Sequence, residues 1–383
     1  MNVLTIFTQP IENNTSSMIR CRNVINGLAT LVHNITVYSP YPDTASIYYG
    51  NDYKISENVI VRRYGKPGNV SKENKSVAGS INSKSFLRKI YRKFDLFGAS
   101  IVNIKYTKDI IKQICNEKYD IILSFSNPMT SHIMSNSIVK YKRGIKYIQQ
   151  WGDPLVADIT RKSLTPKWIQ HIIESHLICK ADRIFYVSPV TLQEQRRLFP
   201  KYKEKMAFVA TPAEIRVYDA PSNDKLRIGY FGSYQKAARN IMPLYEAVKS
   251  NRKVEMLLVG DSDVVLEETD NIKIVKRTTP DVIDELMKGM DLIVCLMNSS
   301  GGQIPGKTYN YACTNKEILM VTDGEQSIAI MDYFKRYDRF TFVENNSEKI
   351  GRKLKQYIDE GVPIRKPVKE FTPETIAEKM IRE

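Results

Sequence analysis

The feature that most constrains the fold is a repeated alternation of short apolar runs and helical segments along the whole chain. Many of these runs are of strand length, and residues 291–297 (DLIVCLM) are apolar almost throughout, which is typical of a strand buried on both faces of a parallel sheet. The runs are residues 3–7, 34–38, 59–63, 120–125, 145–150, 181–187, 206–210, 226–231, 254–259, 271–275, 291–297 and 317–321. The alternation predicts an α/β fold of doubly wound parallel sheets.

The alternation falls into two series, and 383 residues is a length that suits two domains. Between the series, residues 213–225 contain Pro221, Ser222, Asn223 and Asp224 and few apolar residues, which predicts a linker. We therefore expect one domain over 1–212 and a second over 226–372. Residues 373–383 are expected to form a helix with Pro373 at its first position, packing back on the first domain.

Composition excludes several protein classes. Hydrophobic residues make up 42% of the chain and charged residues 26%, as in soluble globular proteins, and the longest apolar runs are too short to span a bilayer. The first apolar run has no basic leader before it, so we expect a strand rather than a signal peptide, and a cytoplasmic protein. The five cysteines are scattered without a CxxC pair, which predicts reduced thiols. His171 and His176 are five residues apart, on different faces of a helix, so no metal site is predicted.

The net charge of +15 is unevenly distributed. Residues 1–200 contain 28 Lys and Arg against 14 Asp and Glu, whereas residues 201–383 contain 29 against 28. This asymmetry indicates an anionic partner for the N-terminal half.

Residues 86–106 place aromatic and aliphatic side chains at helical spacing with basic residues between them, which predicts a basic amphipathic helix. Its aromatic face could pack on the sheet. Alternatively, the helix could contact anionic lipid head groups through Arg88, Lys89, Arg92 and Lys93. The segment would also permit nucleic-acid binding, but no RNA-binding or helix-turn-helix pattern accompanies it, and no nucleic-acid partner is expected.

The loop after residues 291–297 is the strongest candidate ligand site. Gly301, Gly302, Pro305 and Gly306 exclude a helix there, and a helix is predicted from Lys307 onward. Open α/β sheets bind ligands where strands end and helices begin, and Lys307 adds a positive charge suited to a phosphate. The alternative is a surface lysine with Tyr309 and Tyr311 as ordinary helix-face aromatics.

Other polar residues follow predicted strands in the same way. Gly232 and Ser233 form a tight turn after residues 226–231, with Lys236 and Arg239 next, and Gly260 and Asp261 follow residues 254–259. In the first domain, Asp153 follows residues 145–150 and is either a functional acid facing the ligand edge or the cap of a turn. Ser16 and Ser17 are predicted to cap a helix that has Arg20 in its first turn.

The segment Pro305-Gly306-Lys307-Thr308-Tyr309-Asn310-Tyr311 resembles the Pro-x-Lys-x-x-Glu-Tyr block of glycosyltransferases that make bacterial surface polysaccharides. Nearly the whole chain resembles the two-Rossmann-domain (GT-B) class, and most of all its retaining family four. Supporting matches are Tyr230-Phe231-Gly232-Ser233, Val259-Gly260-Asp261 and Ala181-Asp182-Arg183-Ile184 before Val187-Ser188.

The resemblance implies two Rossmann-like domains facing a cleft, with a UDP- or GDP-linked sugar as substrate and neither a cofactor nor a metal. It implies a donor site on the second domain. The residues concerned are Gly232, Ser233, Lys236, Arg239, Gly260, Asp261, Arg277, Gln303, Lys307, Tyr309 and Asn310. Asn310 stands where the family usually has the glutamate that holds the ribose hydroxyls. Asp261 and Asp263 could be mistaken for a metal-binding pair, but they follow a strand of the second domain and are interpreted as a loop near the nucleotide.

The resemblance also implies a glycan or lipid-linked acceptor near Ser16, Ser17, Arg20, Asn127 and Asp153, with Asp153 and Lys307 as catalytic residues. Retention of configuration and a role in capsule or O-antigen synthesis are implied in the same way, as is peripheral contact with the inner face of the plasma membrane. The alternatives are a nucleotide-sugar epimerase of the same fold, a basic nucleic-acid-binding protein, or an inactive scaffold.

Overall fold

The computed structural model describes residues 1–50, 53–67, 93–126, 128–142, 144–158, 163–221, 224–236 and 238–383. The chain divides into two compact units. The first comprises Met1–Val209 together with Ile376–Glu383, and the second comprises Ala210–Thr375. Asn127, Arg88, Lys89 and Arg92, named above as candidate contact residues, lie outside the described residues.

The N-terminal unit is built on a seven-stranded parallel sheet with the order β3-β2-β1-β4-β5-β6-β7. Its core strands are buried on both faces, and β4 is buried at every position, which explains its continuous apolar sequence. The strands are β1 (Asn2–Ile6), β2 (Asn34–Pro40), β3 (Val59–Tyr64), β4 (Ile121–Phe125), β5 (Lys146–Trp151), β6 (Arg183–Tyr186) and β7 (Met206–Phe208).

The C-terminal unit repeats the plan with a six-stranded sheet in the order β10-β9-β8-β11-β12-β13, again parallel throughout. The strands are β8 (Leu226–Phe231), β9 (Val254–Val259), β10 (Ile272–Val275), β11 (Leu292–Leu296), β12 (Glu317–Thr322) and β13 (Phe340–Glu344). Two doubly wound parallel sheets confirm the predicted fold class.

Helices connect the strands in both units. They are α1 (Ser16–Ala29), α2 (Thr107–Ile114), α3 (Thr130–Val139), α4 (Lys167–Ile178), α5 (Pro189–Leu198), α6 (Met242–Lys249), α7 (Pro280–Lys288), α8 (Lys307–Ala312), α9 (Ser327–Lys335), α10 (Ser347–Glu360) and α11 (Pro373–Arg382). Among the described residues, no helix is both long and apolar enough to cross a membrane.

Helix α1 begins at Ser16, which is earlier than the predicted capping residues imply. The cap is Thr15, whose side chain accepts a hydrogen bond from the Met18 amide, so the prediction that Ser16 and Ser17 are the caps is wrong. Thr15 has the extended backbone that a capping residue needs, whereas Ser16 and Ser17 are already helical.

The prediction of one continuous helix over 86–106 is wrong for the part that the structure describes. The Asp95 carboxylate accepts hydrogen bonds from the amides of Phe97 and Gly98, and Gly98 has a φ of 64°. A left-handed residue ends a right-handed helix. A 3₁₀ helix then covers Gly98–Tyr106.

The C-terminal residues pack within the N-terminal unit. The Lys146 ammonium donates a hydrogen bond of 3.0 Å to the Ile381 carbonyl, and the Lys379 ammonium lies 5.6 Å from the centre of the Phe208 ring. Helix α11 has Pro373 at its first position, as predicted.

Candidate active site

The order of the C-terminal sheet fixes where a ligand can bind. β8 pairs with β9 on one side and with β11 on the other, so the chains that leave β8 and β11 diverge to opposite faces of the sheet. The crevice at the carboxyl ends of two such strands is the ligand site of doubly wound folds. Gly232 follows β8 at this edge, and the loop after β11 leads to Lys307 at the start of α8.

Gly232 and Gly260 form a close backbone contact at this edge. The Gly232 amide donates a 2.8 Å hydrogen bond to the Val259 carbonyl. Gly260 has a φ of 153°, and a Cβ atom added there would lie 2.1 Å from the Gly232 carbonyl oxygen. No side chain fits at Gly260, which leaves bare backbone at the turn after β8.

Lys307 is the central charge of the site. Its ammonium donates a hydrogen bond to the Phe231 carbonyl, and the Tyr311 hydroxyl donates to the same oxygen at 2.9 Å. A Cβ atom at Gly232 would lie 3.4 Å from the Lys307 Nζ, so the ammonium lies directly against this turn. Burial, together with the nearby charges of Arg239 and Arg277, lowers the pKa of Lys307 to about 8.

Arg239 is held by the loops on either side of the crevice. Its Nε donates to the Asn298 side-chain oxygen at 2.9 Å, and its guanidinium donates to the Ser233 carbonyl at 3.2 Å. The Asn298 side-chain amide in turn donates to the Gln303 carbonyl at 3.0 Å. Four of the predicted residues (Ser233, Arg239, Gln303 and Lys307) are thus gathered at one edge, together with Asn298, which sequence reasoning missed.

Asp261, Arg277 and Lys236 lie at the outer part of this edge. The Arg277 guanidinium is 3.8 Å from the Asp261 carboxylate, and both side chains are largely exposed, so this ion pair contributes little to stability. Lys236 is exposed, and its backbone amide donates a 2.9 Å hydrogen bond to the Asp263 carboxylate. Within the part of the chain that the structure describes, no cluster of three or more His, Cys, Asp or Glu side chains could hold a metal ion.

The two tyrosines of helix α8 have different surroundings. Tyr309 is completely buried, 4.9 Å from the Phe371 ring centre and 5.7 Å from that of Phe334. The structure therefore does not bring Tyr309 to the site as predicted, because its side chain belongs to an aromatic core. Asn310 is exposed, three residues after Lys307 and so on a neighbouring part of the helix surface. The helix has six residues, so the positive charge of the site comes from its side chains rather than from a long dipole.

The N-terminal unit has a comparable edge where β1 and β4 are neighbours. From α1, Arg20 donates a 3.2 Å hydrogen bond to the Ser126 carbonyl at the end of β4. The Ser126 hydroxyl accepts from the Gly152 amide at 2.7 Å, and a Cβ atom at Gly152 would lie 2.5 Å from the Arg20 guanidinium. Asp153 follows Gly152 and is half-buried, so Arg20 and Asp153 both lie at this edge.

The two predicted serines differ in their surroundings. Ser16 is exposed at the first turn of α1. The Ser17 hydroxyl lies 3.1 Å from the Gln9 side-chain nitrogen and 3.1 Å from the Thr15 hydroxyl. Ser17 is therefore part of the local network that shapes the loop after β1.

A cavity of about 510 Å³ lies elsewhere in the C-terminal unit, at the amino ends of its strands. Its walls include Leu226 at the start of β8, Asp291 just before β11 and Glu317 at the start of β12. None of the predicted donor-binding residues lines it. Since doubly wound sheets bind ligands at the carboxyl edge, we assign the candidate site to the edge with Lys307.

No protein-family model matches the chain, and the comparison with curated proteins gives no match. Solved structures do match over its full length. HepE (Alr3699) of Anabaena in complex with UDP and glucose matches with a TM-score of 0.61 and 12% identity, covering 100% of this chain and 98% of HepE. A glycosyltransferase of Rickettsia africae ESF-5 matches with a TM-score of 0.60 and 14% identity, covering 100% and 97%.

The fold of this chain is GT-B. A putative UDP-N-acetylglucosamine 2-epimerase of Listeria monocytogenes is also similar, with a TM-score of 0.55 and 12% identity over 100% of this chain and 95% of the epimerase. At these identities the similarity establishes the GT-B fold alone, and the reaction is inferred from the site.

Proposed function

We propose that this GT-B protein is a glycosyltransferase that takes its sugar from a nucleotide-sugar donor. The observation that carries the proposal is the arrangement of Lys307, Arg239 and Arg277 at the carboxyl edge of the C-terminal sheet. The partly buried ammonium of Lys307 has a lowered pKa because of desolvation and two positive neighbours. An anion bound there relieves both penalties at once, and a diphosphate provides two negative groups in one ligand.

The chemistry of transfer uses the same charges. When the bond between the sugar and the diphosphate breaks, negative charge grows on the departing diphosphate, and Lys307 and Arg239 stabilise it most in the transition state. Gly232 permits close approach of the backbone to the phosphates, and Asn310 is placed to hydrogen-bond the ribose. The residues around Arg277 bind the nucleotide base. With cationic side chains in this role, we propose a metal-independent transferase.

The nucleotide of the donor is proposed to be UDP. HepE has been crystallised with UDP and glucose, which supports a UDP-linked sugar for a chain of the same fold. We propose that Asp153 and Arg20 act on the acceptor and sugar at the edge of the N-terminal unit, with a glycan or lipid-linked glycan as acceptor. We further propose that the protein acts in surface-polysaccharide synthesis and transfers the sugar with retention of configuration. Its proposed location is peripheral, at the inner face of the membrane.

Binding of nucleoside diphosphates to purified protein tests the donor site directly. A ligand that binds only the folded state raises the melting temperature, so UDP is expected to stabilise the protein and UMP to do so much less. Lys307→Ala is expected to weaken UDP binding by about 3 kcal/mol or less, as judged from isothermal titration calorimetry.

Lys253→Ala is the matched control, because it removes the same charge from an exposed position just before β9, at the opposite edge of the same sheet. It is expected to leave UDP affinity unchanged. Equal losses in both variants would show a general charge effect, and no stabilisation by any nucleoside diphosphate at millimolar concentration would refute the donor site.

An epimerase remains the second candidate because the Listeria structure has the same fold. An epimerase of this kind needs acids and a histidine beside the sugar. His132, on α3 next to the N-terminal edge, is fully buried, stacks on Trp151 at 4.4 Å and bonds to the Ser124 hydroxyl at 2.7 Å. We therefore favour the transferase. Conversion of a UDP-sugar to its epimer without acceptor, followed by NMR, would reverse this preference.

A further inference from the structure

Helix α4 of the N-terminal unit buries Leu177 and Ile178 but leaves two large apolar side chains exposed. Its buried face includes Gln170 and Glu174, with 2% and 0% exposure, whereas Trp168 and Ile172 on the outer face are 67% and 58% exposed. A surface helix ordinarily buries its apolar stripe and exposes its polar one. An outer face with a tryptophan and an isoleucine one turn apart indicates that this face has a partner.

Hydrogen bonds of the buried polar residues fix this orientation. The Gln170 side chain donates to the Thr165 carbonyl at 2.6 Å, and the Glu174 carboxylate accepts from the Val156 amide at 2.8 Å. Turning the helix to bury Trp168 would break both bonds and expose the loops that they hold. The hydrogen bonds of Gln170 and Glu174 therefore keep the apolar outer face of α4 exposed.

Two more exposed apolar side chains lie in segments that adjoin the helix. Leu164 and Phe94 are 60% and 49% exposed, and their backbone segments are joined. The Leu164 amide donates to the Lys93 carbonyl at 2.6 Å, and the Thr165 hydroxyl donates to the Phe94 carbonyl at 2.8 Å. We call Phe94, Leu164, Trp168 and Ile172 the α4 patch. Single exposed apolar residues are ordinary, but four in adjoining segments are not.

Basic residues border the α4 patch. Lys93 and Lys167 are exposed next to Phe94 and Trp168, and the Lys167 ammonium donates to the Val156 carbonyl. Asp95, the adjacent acid, already accepts two backbone hydrogen bonds. The half of the sequence that contains the patch has 28 basic against 14 acidic residues.

We propose that the α4 patch inserts into the interfacial region of an anionic phospholipid bilayer. Tryptophan favours that region because its ring is apolar and its N–H is polar, and lysines beside it meet the anionic head groups. Charge decides against a second copy of the chain as the occupant, because two strongly basic units repel each other while an anionic leaflet attracts them. The inference extends the proposed membrane contact and does not depend on glycosyl transfer.

The two tryptophans of the chain make the test specific. Trp151 is fully buried, so a change in emission on addition of vesicles reports on Trp168. With vesicles of phosphatidylcholine and phosphatidylglycerol, the emission of the wild type is expected to shift to the blue, and pure phosphatidylcholine is expected to give a smaller shift. Trp168→Phe, which retains only Trp151, is expected to show no shift while still binding.

The paired variant Trp168→Ser with Ile172→Ser is expected to lower partitioning into anionic vesicles by about tenfold or more, because two buried apolar side chains are lost. Ile47→Ser with Tyr141→Ser removes two other exposed side chains of the same unit and is the control, expected to bind as wild type. UDP binding without vesicles is expected to be unchanged in both, so failure here is distinct from failure of the donor site.

Three results would overturn the proposal. The first is normal sedimentation of the Trp168→Ser, Ile172→Ser protein with anionic vesicles. The second is an unshifted Trp168 emission in vesicle-bound wild type. The third is a blue shift that grows with protein concentration in the absence of vesicles, which would assign the patch to a second copy of the chain.

Discussion

Lys307 is a cation held among cations, and this makes its protonation depend on what is bound. Burial and the charges of Arg239 and Arg277 bring its pKa to about 8 in the free protein, close to working pH. A bound diphosphate favours the charged form and raises the pKa again. Binding of the anion and binding of the proton are therefore linked at this residue.

The linkage predicts that UDP affinity falls as pH rises. Below pH 8 Lys307 is already charged, and UDP is fully ionised above about pH 7, so affinity is flat there. Above pH 8 a proton must be taken up on binding, and the dissociation constant is expected to rise about tenfold per pH unit. Calorimetry from pH 6.5 to 9.5 measures this.

Two variants separate Lys307 from other titrating groups. Lys307→Arg keeps its charge throughout this range, and Lys307→Ala has none to lose, so both profiles are expected to be flat. A wild-type profile that is flat to pH 9.5, or a Lys307→Ala profile that falls as steeply as wild type, would contradict the role given to Lys307.

Asp153 is the acid at the edge of the N-terminal unit, placed two residues after β5 and beside the Gly152 that contacts Arg20. Asp153→Asn is expected to lower turnover by roughly 10²-fold, the range of a lost acid–base contact, with UDP affinity within a few-fold of wild type. Asp109→Asn, at an exposed position in α2, is the control. Near-normal turnover of Asp153→Asn would make this residue a turn cap.

At the scale of elements, α8 is held at both ends. Lys307 ties its start to β8, and Arg339, just before β13, binds its end. The buried guanidinium of Arg339 donates to the Thr314 carbonyl at 2.7 Å, to the Tyr311 carbonyl at 3.4 Å and to the Lys316 carbonyl. Burial lowers the pKa of Arg339 to about 10. The neighbouring Glu317 carboxylate is already bonded by Tyr357, Thr341 and Arg365.

Arg339→Met is expected to loosen the end of α8, because it leaves these carbonyls without a donor at a cost of about 2 kcal/mol. Hydrogen exchange over residues 309–316 should then be about 30-fold faster, with a weaker effect on UDP affinity. Arg336→Met removes an exposed arginine at the end of α9 and should leave the exchange unchanged. Unchanged exchange in Arg339→Met would show that other contacts hold the helix end.

The strands were predictable because parallel strands buried on both faces give continuous apolar runs. β8 and β9 have the predicted bounds, Leu226–Phe231 and Val254–Val259. The break in the predicted helix over 86–106 could not be predicted in the same way. Its apolar spacing matches a helix, but the Asp95 carboxylate competes for the Phe97 and Gly98 amides and Gly98 takes a positive φ.

The site was predictable to the level of its loops, and less so to the level of its side chains. Glycines, Lys307 and Arg239 follow strands at the expected edge because the topology places them there. A six-residue helix is too short for its sequence to show that Tyr309 faces the core while Tyr311 bonds to the Phe231 carbonyl. Asn298 bridges Arg239 and the Gln303 carbonyl, and nothing in the local sequence distinguishes it from an ordinary loop asparagine.

At the scale of the whole molecule, charge is distributed unequally between the two halves of the chain. The first 200 residues have 14 more basic than acidic side chains, whereas the remaining residues have one more. The balanced half contains the proposed donor site, whose positive charge is local. The excess of the other half lies mostly in residues 51–150, which contain 19 Lys and Arg against 7 Asp and Glu. A basic stretch of this length suits an extended anionic surface rather than one small ligand.

The segment from Arg88 to Lys93 is expected to supply part of this long-range attraction. Each basic residue near an anionic leaflet contributes about 1 kcal/mol, so changing Arg88, Lys89, Arg92 and Lys93 to Gln should remove about 4 kcal/mol and release the protein from anionic vesicles at moderate salt.

The matched control changes Lys249, Lys253, Lys273 and Lys355 to Gln, an equal loss of charge from exposed positions of the C-terminal unit. Sedimentation of both proteins over a series of salt concentrations separates location from net charge, because screening weakens either contribution. If the two variants dissociate at the same salt concentration, only the net charge matters. If the first variant sediments as wild type does, this segment has no role at the membrane, and the α4 patch must account for binding by itself.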